Sequence, residues 1–133
     1  MTIKHTKIRY SDKFYYYAND AVIGKSIEIY GEYSQIEIDL LLNFLTPESV
    51  VYDIGANIGY HTTAFASRAR QVLAFEPHPR TFEILSKNTK DLPNVKLFNC
   101  AVSNFDGSSK CYDYNLDTEA NYGAVAVNNN GVL

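Results

Sequence analysis

The stretch Val50-Val51-Tyr52-Asp53-Ile54-Gly55-Ala56-Asn57-Ile58-Gly59-Tyr60 decides how this chain folds. Its first five residues form a short, β-branched apolar run that reads as a buried strand. Gly55 to Gly59 is a glycine-bearing turn, and Tyr60 to Ala69 has helical character, with Ala64, Phe65 and Ala66 available for packing. A second buried strand follows at Val72 to Phe75. Pro79 suits the first position of a helix that runs through Phe82 and Leu85 to Lys90. Beyond the Leu92-Pro93-Asn94 loop, Val95 to Val102 reads as a third strand. Strands alternating with helices predict an α/β fold, a Rossmann-like, right-handed, doubly wound parallel sheet.

Upstream, the aromatic row Phe14, Tyr15, Tyr16 and Tyr17 suits strands that bury their rings. Lys25 to Tyr30 reads as a short strand ended by Gly31. Ser34 and Glu37 have capping-box spacing, with Tyr33 and Ile38 placed as a hydrophobic staple. A helix is therefore expected from Gln35, burying Ile36, Leu40, Leu41, Phe44 and Leu45 and ending before Pro47. Downstream, Asp106-Gly107 signals a hairpin with strands on either side, and Ala124 to Val127 reads as another strand. Asn130-Gly131 is again a hairpin signal, followed only by Val132-Leu133. The sheet is thus expected to be truncated after its third core strand, with an added β-hairpin region. Residues 1–46 would supply N-terminal strands and a lead-in helix, and residues 47–133 a partial nucleoside-binding sheet, all in one structural unit.

The 133 residues are 46% hydrophobic, enough for a packed core. Lys plus Arg is 12 against 15 for Asp plus Glu, a net charge of −3, which argues against a nucleic-acid partner. The basic start, Lys4, His5, Lys7 and Arg9, reads as a solvated terminus. No apolar run is long enough to span a bilayer and no signal peptide is visible, so no membrane partner and a cytoplasmic location are expected. Cys100 lies in a strand-like run and is expected to pack as a small hydrophobe; nothing about Cys100 and Cys111 points to an oxidising compartment. No metal site is expected.

The chemistry sits where two strands end. In an open parallel sheet, ligands bind outside the carboxyl ends of the strands. Asp53 and the Gly55–Gly59 turn lie at one such end, and Glu76 at the next. The two glycines let backbone approach a ligand closely, and the following helix start offers free N–H groups to an anionic group. Glu76 follows Gly55 by 21 residues, the spacing at which an acid accepts hydrogen bonds from a ribose. Glu76 is expected to be exposed at its strand end. A dinucleotide would want G-x-G-x-x-G, but Asn57 and Tyr60 stand at the second and third glycine positions. Asp53 would also repel a pyrophosphate, by about 4 kcal/mol for unit charges 4 Å apart at an effective dielectric of 20. S-adenosylmethionine (SAM) has no phosphate and carries an ammonium and a sulfonium, which suit Asp53. The charge pattern selects SAM over NAD.

Asp53 to Tyr60, Ala74-Phe75-Glu76-Pro77, Asn88, Asn94-Val95 and Ala101-Val102-Ser103-Asn104 together resemble the successive motifs of FkbM-type SAM-dependent methyltransferases. Gly31-Glu32-Tyr33 and its helix resemble that family's lead-in, so the resemblance runs from roughly residue 20 onward. It implies O-methyl transfer to a sugar or other small hydroxyl acceptor, with SAM as donor. It places Asp53, Gly55, Ala56, Asn57 and Gly59 around the methionine part and Glu76 on the ribose. Asn99, Cys100 and Ala101, ending the third strand, would lie near the adenine, with Phe75 and Pro77 packing on its ring. His61 and His78 are the histidines near this site, and neither is assigned as a base. The competing reading is a non-catalytic SAM- or nucleoside-binding module, or half of a split enzyme. Exposed strand edges make self-association, or a partner that completes the sheet, the expected protein partnership.

Overall fold

A computed structural model describes residues 2–108, 110–111, 113, 115, 117–124 and 127–128. The chain opens with an antiparallel hairpin, β1 (Ile3–Ile8) and β2 (Ser11–Tyr17), which forms a two-stranded sheet of its own. Two helices follow, α1 (Ile23–Tyr30) and α2 (Gln35–Leu42). Then come β3 (Val50–Ile54), α3 (Tyr60–Ala66), β4 (Gln71–Phe75), α4 (Pro79–Thr89) and β5 (Val95–Phe98). These strands make a parallel sheet in the order β3-β4-β5, with Val50 opposite Gln71 and Val72 opposite Val95. A short ladder, β6 (Lys110–Cys111) with β7 (Val127–Asn128), and a 3-10 turn at Tyr122–Ala124 complete the described elements. The fold is α/β and Rossmann-like.

Helices α3 and α4 cover the same face of the sheet. Val72 and Ala74, both fully buried, point into it, Val72 against Phe65 and Ala69 and Ala74 against Leu85. The other face is open among the described residues. There the rings of Tyr52, Phe75 and Phe98 stack in a row across the three strands, with centroids 6.4 and 4.7 Å apart.

Several sequence expectations change. Residues 25–30 are helical, not a strand. Ile23 and Ile27 repeat one helical turn apart and are buried, whereas Ile29 and Tyr30 are 57% and 73% exposed. Gly24 lets α1 lie on β2: a Cβ there would meet the Tyr17 carbonyl oxygen at 2.7 Å. Gly31 ends the helix as a left-handed cap at φ 70°, its N–H donating to the Ile27 carbonyl.

Helix α2 starts at Gln35 as expected, yet no capping box forms. Ser34 is left-handed (φ 50°) and its side chain makes no capping bond. The expected buried stripe also faces outward, with Ile36, Leu40 and Phe44 at 89%, 59% and 75% exposure. A polar network sets the helix rotation. Gln35 is buried, donates to Tyr10 Oη and Asp39 Oδ1 at 2.8 Å, and accepts from Tyr60 Oη at 3.1 Å. That turns Ile38, fully buried, to the core, with Leu42 packing beside it, while Leu45 packs against the cluster of Phe65, Ala69 and Val72.

The third strand ends at Phe98, four residues early, and residues 99–108 are exposed and form no strand. The Asp106-Gly107 hairpin therefore does not form. Cys100 is exposed rather than packed. Ala124 closes the 3-10 turn, Val127 is in β7, and Asn130-Gly131 lies outside the described residues.

The aromatic row upstream is buried as expected. Phe14, Tyr16 and Tyr17 are at most 3% exposed and share a core with Ile27, Ile38, Ile58, Tyr60, Ile84 and Tyr122. Asn88 clamps the hairpin to the rest: it accepts from the Tyr15 N–H at 2.7 Å and donates to the Tyr15 and Ile58 carbonyls at 2.9 and 2.8 Å.

Gly59 is where α3 meets α4. Its φ is +90°, and a Cβ on it would meet Leu85 Cδ1 at 2.7 Å. Gly59→Ala is expected to destabilise the chain by about 1–3 kcal/mol from the left-handed backbone, with overpacking adding to that. Urea unfolding measures it.

Candidate functional site

The turn between β3 and α3 is left-handed at alternate residues, Gly55 (φ 79°), Asn57 (φ 52°) and Gly59 (φ 90°). All five of its N–H groups are satisfied within the protein. Those of Gly55 and Ala56 donate to the Phe75 carbonyl, and that of Gly59 to the Ala56 carbonyl. The Ile58 N–H donates to Asn57 Oδ1, and the Asn57 N–H donates to Glu76 Oε2 at 2.9 Å. The turn is thus a rigid, self-bonded loop whose own amides are already committed.

Glu76 stands behind this turn. It is 7% exposed, not exposed as expected from sequence. Its second oxygen accepts from the His78 N–H at 2.9 Å. The reason is local: strand β4 ends one residue earlier, and the carboxylate reaches two amides that no strand partner serves. Burial pushes the Glu76 carboxyl up, opposed by those two amide bonds.

In front of the turn lies a cavity of about 250 Å³. Asp53, Gly55, Ala56 and Asn57 line it, so the structure brings together four of the sequence-predicted residues. Gly55 is bare there: a Cβ built on it meets nothing within 4 Å. Asp53 accepts from Thr62 Oγ1 at 2.5 Å. Burial raises the Asp53 carboxyl, opposed by the Thr62 bond and the charge of His61. Among the described residues, no cluster of His, Cys, Asp or Glu could hold a metal ion. No helix among the described residues is long and apolar enough to cross a membrane.

The remaining predicted residues sit elsewhere. Gly59 serves helix packing, as above. Glu76 and Pro77 are not on the cavity wall. Asn99 donates its side-chain amide to the Glu76 and Pro77 carbonyls at 2.8 and 3.2 Å, tying the ends of β4 and β5 together. Cys100 and Ala101 follow β5 as exposed, irregular chain rather than ending it. Phe75 lies in the aromatic row on the open face.

Val22, Ile23, Tyr33, Asn121 and Gly123, which sequence reasoning missed, also line the cavity, as does His61. His61 comes with the turn of helix after Tyr60. Asn121 and Gly123 arrive from far along the chain. The Ala21 N–H donates to the Ala120 carbonyl and the Ala120 N–H to Asn19, while Tyr122 is buried edge-on against Tyr17 at 5.8 Å. Gly123 then lies so close to Asn57 that a Cβ would meet its Nδ2 at 2.7 Å. No local pattern announces that contact.

The chain is similar to known proteins over part of its length. The chain is 41% identical over 60 residues to the hexuronic acid methyltransferase AglP of Haloferax volcanii, covering 45% of this chain and 25% of that protein. It is 31% identical over 108 residues to methyltransferase 1 of Beauveria bassiana, covering 77% of this chain and 42% of that protein. The chain thus spans less than half the length of either relative. A Pyrococcus horikoshii structure provisionally named a transferase superposes on 75% of this chain and 37% of its own, with a TM-score of 0.58 and 19% identity, a likeness of fold. No protein-family model matches the chain.

Glu76→Ala is expected to leave the Asn57 and His78 amides without partners, at about 1–3 kcal/mol each in lost stability. Chemical unfolding would show it. An unchanged midpoint would mean those bonds contribute nothing. The pH dependence follows from Asp53. Because its folded pKa is raised above the ordinary 3.8, the protonated form favours the fold. That contribution is complete below the unfolded pKa and is lost as pH rises through the folded one. Asp53→Asn keeps an acceptor for Thr62 and removes the charge. Its stability advantage over the wild type should be absent in strong acid and grow as pH rises through the folded value, as thermal melts across pH would record.

Proposed function

We propose that the cavity in front of the Gly55–Gly59 turn binds the methionine end of SAM, and that the chain carries the cofactor side of a methyltransferase. The observation that carries this reading is the pairing of the half-buried Asp53 carboxyl with the bare backbone of Gly55 in the lining of one cavity. A carboxylate whose charged form is disfavoured by burial gains most from a cationic ligand. Gly55 leaves the space in which such a ligand lies against the main chain. Both curated relatives are named methyltransferases, which supports the same reading.

The residues fit this group at its amino-acid end. Asp53, held in orientation by Thr62, faces the cationic centres, and Asn57 presents its carboxamide beside them. Bound SAM supplies an electrophilic methyl group on its sulfonium. Glu76 is the proposed ribose partner. Each of its oxygens accepts one amide bond and retains a lone pair, and the alternation of turn and strand end brings it within one residue layer of the cavity through Asn57. His61 stands on the wall next to Asp53. The cavity lies just below the roughly 300–1,000 Å³ usual for small-molecule sites, and the Asn121–Gly123 wall is what bounds it.

For the acceptor we propose a hydroxyl on a sugar or another small molecule. Its support is the motif resemblance to FkbM-type enzymes and the hexuronic acid specificity in the name of one relative.

Calorimetry with SAM, its demethylated product and NAD tests the cofactor. SAM and the product should bind and NAD should not; tight NAD binding with no response to SAM overturns the proposal. Asp53→Asn should weaken SAM binding by roughly 10- to 100-fold, the loss of one charge-assisted contact worth about 1.5–3 kcal/mol. Gly55→Ala should abolish binding by filling the open space.

A further inference from the structure

The Gly55–Gly59 turn has no amide to offer a bound anion, since each of its N–H groups already donates within the protein. An α-amino acid is a zwitterion. A cavity that takes its ammonium at Asp53 still has to hold its carboxylate. Two neutral donors in the lining are available for that. Asn57 Oδ1 accepts from the Ile58 N–H at 2.7 Å, and Asn121 Oδ1 accepts from the Gly123 N–H at 3.1 Å. These backbone donors fix which end of each carboxamide is the oxygen. Neither Nδ2 donates to an acceptor among the described residues. Both residues line the cavity, and they are neighbours there. A Cβ built on Gly123 would lie 2.7 Å from Asn57 Nδ2 and 3.4 Å from Asn121 Oδ1.

We infer that Asn121, with Asn57, holds the carboxylate of the methionine end of SAM, and that Asn121 makes the cavity specific for a ligand bearing an α-carboxylate. The inference rests on the SAM reading of this cavity. A carboxylate accepts at both of its oxygens, so two carboxamide NH2 groups match it without adding charge. Neutral donors suit a cavity that already contains a carboxyl. A lysine or arginine in their place would pair with Asp53 and compete with the ammonium of the ligand. Asn121 is held for this task from outside the site. The Ala120 N–H donates to the Asn19 carbonyl, and the buried Tyr122 donates its hydroxyl to the Thr118 carbonyl at 2.6 Å. Gly123 lets this segment close on Asn57, because a side chain there would displace the Asn57 carboxamide.

Calorimetry with SAM and with decarboxylated SAM, which differs in lacking the carboxylate, tests it. The wild type should bind SAM roughly 10- to 100-fold more tightly, the range for hydrogen bonds to a charged group. Asn121→Asp keeps the oxygen that accepts from Gly123 and replaces the NH2 with a carboxylate oxygen. It should weaken SAM binding and spare decarboxylated SAM, so that the preference reverses. Asn121→Ala removes the donor without adding charge and should bring the two affinities close together. Circular dichroism of both variants should match the wild type, since Asn121 is exposed. Equal binding of the two ligands by the wild type overturns the role of Asn121 and leaves SAM binding standing. So does a preference for SAM that both variants retain. Loss of both ligands alike in the variants means that the segment merely shapes the cavity, and overturns the inference too. A wild type that binds neither ligand overturns it together with the SAM reading.

Discussion

The carboxylate of Glu76 is the constraint on which the rest of the site depends. One oxygen holds the Asn57 N–H and the other the His78 N–H. The first fixes the turn that leaves β3, and the second fixes the start of α4. By accepting an amide bond at each oxygen, a single buried side chain locks the carboxyl ends of two parallel strands together. Asn99 extends the tie to β5 by donating to the Glu76 and Pro77 carbonyls. The turn can therefore hold three alternate left-handed residues, one of them the non-glycine Asn57, whose own side chain accepts from the next N–H.

A second set of contacts joins the N-terminal hairpin to this frame. Tyr60, the first residue of α3, is 2% exposed and sits edge-on to Tyr10, Phe14 and Tyr33. Its hydroxyl donates to Gln35, and Gln35 in turn fixes the rotation of α2. Asn88 makes the parallel link from α4 to β2. Buried polar groups with every bond made define a unique arrangement where apolar packing alone would tolerate several. Here they override the simple apolar pattern of α2 and turn Ile36, Leu40 and Phe44 outward.

Electrostatics gives the cavity its character. Two carboxyls, the buried Glu76 and the half-buried Asp53, flank one turn, burial raises both, and the charge of Asp53 raises Glu76 further. Such a site resists further anions and favours a cation, the opposite of a phosphate cradle. The amides that would otherwise bind a phosphate are already spent inside the turn.

The parallel sheet was legible in the sequence because its signals are local. Val50 to Ile54 and Val72 to Phe75 are short apolar runs, and Pro79 opens α4 where a missing N–H costs nothing. The grouping of Asp53, Gly55, Ala56 and Asn57 was legible for the same reason, since a strand end and the turn after it are neighbours in sequence. Residues 25–30 misled because Ile27 and Ile29 also fit alternation, whereas the burial of Ile23 with Ile27 and the packing of Gly24 on the Tyr17 carbonyl favour the helix. The true face of α2, the burial of Glu76 and the Asn121–Gly123 wall depend on partners 25, 19 and 64 or more residues away in the chain. Periodicity reports which residues share a face, but which face is buried, and which charge loses its water, is set by what the tertiary fold brings against it.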